Sequence, residues 1–227
     1  MRLIDFSWLG REFVALQGEG KAGLAPAEAT RELLDRMSAA LVLQGLSLNY
    51  VVRNRFFGRD EQSRAVGSAA RREVLSGSAR SAGTSLIATS QFDSDALVAM
   101  DLLALRPARL GASKQVREFE PRLGYPRYVL YDSVLFLSGL TSRESSLEAQ
   151  ASDLAYKMGE SLALAGTGWG KAGLVTCFLH RSQNLLAFRE LMARLLPGGA
   201  LPAMEYQFAD GWGGAGTLLE IEVTATL

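Results

Sequence analysis

Cysteine and histidine are nearly missing from this 227-residue chain, which holds one of each, Cys177 and His180. A single cysteine excludes an internal disulfide and a cysteine-rich zinc site, and it is the usage of a reducing compartment. A single histidine excludes a multi-histidine metal centre. A Ser-His-Asp triad would have to run through His180, and no G-x-S-x-G turn accompanies it. No G-x-x-x-x-G-K-[ST] phosphate loop is present either. No run of about 18 apolar residues occurs, so no membrane span is expected. The N-terminal stretch MRLIDFSWLGREF has neither the apolar core nor the cleavage site of a secretion signal. The formal net charge is +0, so no basic field exists to hold nucleic acid. These absences lead to the expectation of a cytoplasmic protein with no metal, no other cofactor, no membrane and no nucleic-acid partner. Its chemistry would use carboxylates, arginines, hydroxyls and backbone groups.

What is present is enough for a sizeable core: 48% of residues are hydrophobic and 21% charged, too apolar a mixture for a disordered chain. The length allows one large domain or two of roughly 110 residues. An internal repeat decides between them. Shifted by 121 residues, Leu33, Met37, Leu41, Leu43 and Gly45 fall on Leu154, Met158, Leu162, Leu164 and Gly166. Phe57 falls on Phe178, Leu97 on Leu218 and Ala104 on Ala225. The matches are mostly apolar or glycine, the residues that set a core and its turns. A repeat this long means two whole domains rather than a solenoid.

Each half reads as the same string of elements. Leu3–Trp8 and Tyr128–Tyr131 are leading strands, and Phe13–Gln17 and Val134–Leu137 are short apolar strands. Pro26–Gln44 and Leu147–Ala165 carry apolar residues at helical spacing, each closed by a glycine where a C-terminal cap belongs. Val51–Phe57 and Leu174–Leu179 are strands rich in β-branched and aromatic residues. Arg64–Leu75 and Leu185–Leu196 are second helices, each followed by Gly, Ser or Pro breakers. Thr84–Ala88 with Leu97–Leu105, and Ala203–Phe208 with Leu218–Thr226, complete the halves. The order β-β-α-β-α-β-β, read twice, gives an α/β (α+β) protein with each sheet covered on one face by two helices. The expected domains are 1–106 and 127–227. A polar, proline-bearing linker, 107–126, joins them.

The residues also resemble a family. Gly45-Leu46-Ser47-Leu48-Asn49-Tyr50-Val51-Val52 resembles a helix-end glycine and third strand of the RidA/YjgF proteins, imine and enamine deaminases. Ala79-Arg80-Ser81 resembles their P-A-R-S/T segment. Leu135-Phe136-Leu137-Ser138-Gly139 resembles a strand end, and Leu219-Glu220-Ile221-Glu222-Val223 a closing strand. Each half is thus similar to one RidA-like domain of chorismate-mutase-like fold. The resemblance implies homotrimers with clefts between domains, an arginine that binds the substrate carboxylate, and a closing-strand acid that positions water. Carried over, the candidate catalytic residues are Asp101 and Glu222. The candidate substrate-binding residues are Arg80, Ser138, Tyr125 and Gln17. The halves diverge: Arg80 aligns by its segment with Met204, Ser138 with Gln17, and Glu222 with Asp101. Neither half carries a complete set, which suggests a composite site with Arg80 and Asp101 facing Tyr125 and Ser138.

The implied function is hydrolytic deamination, or a related hydration or tautomerisation, of a small carboxylate-bearing imine or enamine. Arg80 would bind the carboxylate by parallel charge-assisted hydrogen bonds. Asp101 or Glu222 would handle the proton. Two alternatives stand beside it: a chorismatase-like or other specialised-metabolism enzyme on the same fold, and a non-catalytic protein that binds a small carboxylate. For the first, the chain is short and no second arginine is clearly placed for another carboxylate. The arginines at 53, 55, 59, 71 and 72 read as an anion patch or as a solvated or interdomain face, and Glu220 reads as one of two alternating acids on a strand face.

Overall fold

The computed structural model describes residues 1–109, 111–196 and 202–227 of the chain. In the first half, five strands form one sheet: β1 (Arg2–Trp8), β2 (Arg11–Glu19), β3 (Val51–Gly58), β4 (Ala82–Ile87) and β5 (Val98–Arg106). Their spatial order is β1-β2-β5-β3-β4. All neighbours are antiparallel except β3 and β4, which are parallel and joined through a helix. Helices α1 (Pro26–Leu43) and α2 (Glu61–Val74) supply the cover.

The second half repeats this plan. Strands β7 (Tyr128–Tyr131), β8 (Val134–Thr141), β9 (Ala172–His180), β10 (Ala203–Ala209) and β11 (Leu219–Thr226) lie in the equivalent order, under α3 (Leu147–Leu164) and α4 (Leu185–Leu195). One addition breaks the symmetry. Residues Gln115–Arg117 of the expected linker form β6, which pairs with β7 and becomes the sheet edge. Because β6 adds to the second sheet, the linker is part of the structure rather than a free connector.

The helices sit where the apolar stripes put them. Leu33, Met37 and Leu41 of α1, and Leu154, Met158 and Leu162 of α3, are fully buried. Each such side chain contributes about 1.5–3 kcal/mol of burial. Gly45 and Gly166 follow the helices at φ +70° and +82°, a left-handed turn that a side chain resists. Helix α2 starts three residues earlier than the apolar pattern suggests, because Asp60 accepts a hydrogen bond from the Ser63 backbone N–H at 2.7 Å and caps it. The Pro197-Gly198-Gly199 breaker after α4 lies outside the described residues.

The uncovered sheet faces meet each other. Phe13, Val52, Leu103 and Leu105 pack against Val129, Val134 and Phe136, and Phe57 shares a cluster with its own repeat equivalent, Phe178. Three polar contacts likewise join a residue to its equivalent 121 positions on: Arg11 to Asp132, Arg55 to Thr176 and Thr89 to Asp210. Two copies related by rotation can touch at equivalent positions only near the rotation axis. These pairs therefore trace the pseudosymmetry axis, and the repeat read from sequence is the repeat of the fold.

Candidate functional site

Beside this axis, a cleft of about 590 Å³ opens between the halves. One wall is α2 of the first half, with Arg64, Arg71 and Arg72 lining it. Their spacing of seven and eight residues puts them on one helix face. The opposite wall is the end of β8 and the glycine-rich segment before β11, including Trp212. Tyr125 of the linker and Ser85 of β4 also line it.

Glu220 of β11 reaches this cleft from a nearly fully buried position. The Thr84 hydroxyl donates to its Oε1, and the Trp212 indole N–H donates to its Oε2 at 2.6 Å. Burial pushes its carboxyl up to about 7, with the charge of Glu222 adding to the rise. The two hydrogen bonds and Arg71 pull the other way. Gly139 explains how the carboxylate fits. A Cβ there would come within 2.6 Å of the Thr84 hydroxyl and would collide with the Glu220 carboxylate.

The arginines have different duties. Arg71 is buried and donates to Asn54 Oδ1 at 2.8 Å, the Thr84 carbonyl at 2.7 Å and Ser68 Oγ at 3.0 Å. Its guanidinium is pushed down to about 9, first by burial and then by neighbouring Arg72. Arg64 is half-buried, and its Nε has no partner among the described residues. Together these groups offer positive charge and fixed donors around Glu220, with Glu144 and Arg143 also on the lining. Among the described residues no group of three or more His, Cys, Asp or Glu could hold a metal ion, and no helix is long and apolar enough to cross a membrane.

The residues singled out from the sequence do not gather in one place. Tyr125 lines the cleft, and burial pushes its phenol up to about 12. The Ser138 hydroxyl accepts from the Gly83 backbone N–H at 3.0 Å, fixing β8 against β4. Arg80 is held by the linker: its Nη2 donates to Glu118 Oε2 at 2.7 Å and to the Leu123 carbonyl at 3.2 Å, and its Nε also pairs with Glu118. Gln17 and Asp101 line a different cavity of about 580 Å³ and, beside Arg53 and Arg55, a smaller one of about 120 Å³. Burial pushes the Asp101 carboxyl up to about 6, against the pull of both arginines. Glu222 is paired with Arg55 at 3.0 Å, as is Glu205. Asp101 and Tyr125 of the expected composite set thus line separate cavities.

The alignment of Arg80 with Met204 also changes. Ala82 opposes Arg53 across β4 and β3, and Ala203 opposes Leu174 across β10 and β9. The period of 121 therefore pairs Met204 with Gly83 and Arg80 with Leu201, which lies outside the described residues. Glu220, Arg64 and Trp212 were not singled out as site residues from the sequence. The alternation of Glu220 with Glu222 and the α2 arginine spacing were legible there, but not which face the other half would cover.

No family model matches the chain, and no curated protein does. Among solved structures, the chain is similar to a chorismatase, with a TM-score of 0.70 at 16% identity over 95% of this chain and 74% of the other. A protein of the conserved Rid family, YyfA from Yersinia pestis, is 24% identical with a TM-score of 0.46, over 51% of this chain and 100% of its own. A member of the YjgF/YER057c/UK114 family from Mycobacterium tuberculosis is 21% identical with a TM-score of 0.44, over 51% and 100%. The overall fold of the chain, two tandem α+β domains, is that of the chorismatase.

Proposed function

We propose that the chain is a hydrolase acting in the cleft between its halves, with Glu220 as the acid. The substrate class is a ring-sized carboxylate bearing an enol ether or enamine, which includes the chemistry named by its chorismatase neighbour. The observation that carries this reading is Glu220: a carboxyl that burial raises to about 7, in a cleft lined mainly by arginines and small polar residues. An acid with its pKa near the working pH suits general acid catalysis.

Glu220 gives its proton to the terminal carbon of the double bond, whose π electrons form the new C–H bond. The adjacent carbon, bonded to oxygen or nitrogen, becomes cationic. Ionised Glu220 then takes a proton from water as that water adds to the cation. Collapse of the adduct releases the alcohol or amine and leaves a 2-oxo acid. Arg64 and Arg72 hold carboxylate by charge-assisted hydrogen bonds, and Arg71 keeps Thr84 and Asn54 in place. The cleft volume supports a ring-sized substrate over a free imine of a few atoms. The engagement of Arg80 with Glu118 also weighs against the smaller substrate. The same reading keeps the homotrimer, the cytoplasmic location and the 1–106 and 127–227 division expected from the sequence; light scattering at three chain masses tests the first.

The test is release of 2-oxo acid from a chorismate-like enol ether and, separately, from 2-aminoacrylate generated in situ. Wild type is expected to turn over the enol ether, with Glu220→Gln slower by about 10²–10⁴-fold. Turnover of the enamine alone would establish the deaminase instead. Binding without turnover of either would establish the non-catalytic alternative.

A further inference from the structure

Another cavity, of about 490 Å³, lies where the linker crosses the N-terminal end of β3. It is lined by Lys114 together with Ser47, Asn49, Tyr50, Ser78 and Tyr131. The chain has only four lysines among many arginines, so an amine here is a specific feature. Lys114 is half-buried and donates one hydrogen bond, to the Val51 carbonyl oxygen at 3.0 Å. It forms no ion pair among the described residues, and no carboxylate lines the cavity. Tyr50 and Tyr131 are the other titratable groups lining it, their rings 6.4 Å apart.

An ammonium group in such a place has lost water without gaining a counter-ion. Burial accordingly pushes Lys114 down to about 8. About a tenth of it is free amine at pH 7, several hundred times the fraction for an ordinary lysine. The remaining lysines are placed otherwise. Lys157 pairs with Asp153 at 2.6 Å, and Lys21 and Lys171 are exposed.

We propose that Lys114 is a covalent acceptor site for a small polar carbonyl compound, an aldehyde or 2-oxo acid, in a cavity separate from the cleft. The amine nitrogen's lone pair forms a C–N bond to the carbonyl carbon, and the carbonyl π electrons move to oxygen. Proton transfer from nitrogen to oxygen and loss of water leave the C=N bond of an imine, with no oxidant or cofactor consumed. The hydroxyls of the cavity suit a polar reagent, and the absence of a lining acid leaves a carboxylate or phosphate unopposed. Nothing in this inference rests on the reading of Glu220.

The test uses pyridoxal 5′-phosphate as the probe, trapped with borohydride and mapped by peptide mass spectrometry. At pH 7, Lys114 is expected to label at least roughly tenfold faster than each other lysine, with the preference abolished in denaturant. Lys114→Arg keeps the charge and is expected to lose the fast label while the other three lysines label unchanged. Excess pyruvate is expected to slow the labelling of Lys114. Equal labelling of all four lysines, or Lys114 labelling slowest, overturns the proposal.

Discussion

Glu220 and Glu222 stand two residues apart on one face of the same strand, yet the fold gives them opposite roles. Glu222 lies against the pseudosymmetry axis, where Arg55 of the other half meets it at 3.0 Å. Glu220 lies beyond the axis, where the halves diverge into a cleft, and it receives a hydroxyl and an indole donor instead of a cation. One acid is committed to an ion pair and the other is held where it can carry a proton. The first half shows the same contrast in reduced form. Its equivalent of Glu222 is Asp101, which stands opposite Arg55 across β5 and β3 and feels its charge, while its equivalent of Glu220 is Ala99. Only one half carries an acid at the cleft position.

The largest effect that should separate the two regions is at the axis. Removing Arg55 leaves Glu222 and Glu205 without their cation. Breaking a buried pair from one side costs about 3–5 kcal/mol. Arg55→Met is therefore expected to lower urea stability by that amount, and adding Glu222→Leu to recover much of it. An unchanged urea midpoint in Arg55→Met would mean the axis pair does not hold the halves together.

The next effect is in pH dependence. Glu220 has a folded pKa of about 7 against 4.5 for the free group, and Asp101 about 6 against 3.8. Between those limits the folded chain binds more protons than the unfolded one, so each group's contribution falls as pH rises through its window. Glu220→Gln should remove a decline between about pH 4.5 and 7, and Asp101→Asn one between about pH 4 and 6. Each variant is then expected to exceed wild type at pH 8 by roughly 2–3 kcal/mol in urea titrations. Parallel stability–pH curves for wild type and variants would contradict these assignments.

The smallest effect belongs to the surface. The Arg31–Glu73 pair joins α1 to α2 at 2.7 Å, with both side chains at least half exposed. Arg31→Ala is expected to change stability by less than about 1 kcal/mol, which sets the scale for the buried pair.

Much of the fold was legible in the sequence because it rests on local periodicity and on a duplication that preserved core positions. Leu33, Met37 and Leu41 announce a buried stripe whatever packs against it. The start of α2 was less legible, since Asp60 acts through a cap rather than an apolar position. The site was least legible for a different reason. Glu220 and Glu222 have the same strand context, and only the half that covers them distinguishes them. Arg71 and Arg72 read as part of a solvated or interdomain face until the second half is placed opposite. Arg80 stood in a recognisable segment, but its partner, Glu118, comes from a linker that the sequence presented as a connector.

The most direct test is to titrate the Glu220 carboxyl itself, by carbon-13 NMR of glutamate-labelled protein assigned with Glu220→Gln. The account requires a midpoint near pH 7 that moves when a ring dicarboxylate is added. A midpoint near 4.5, unmoved by the dicarboxylate, would contradict it.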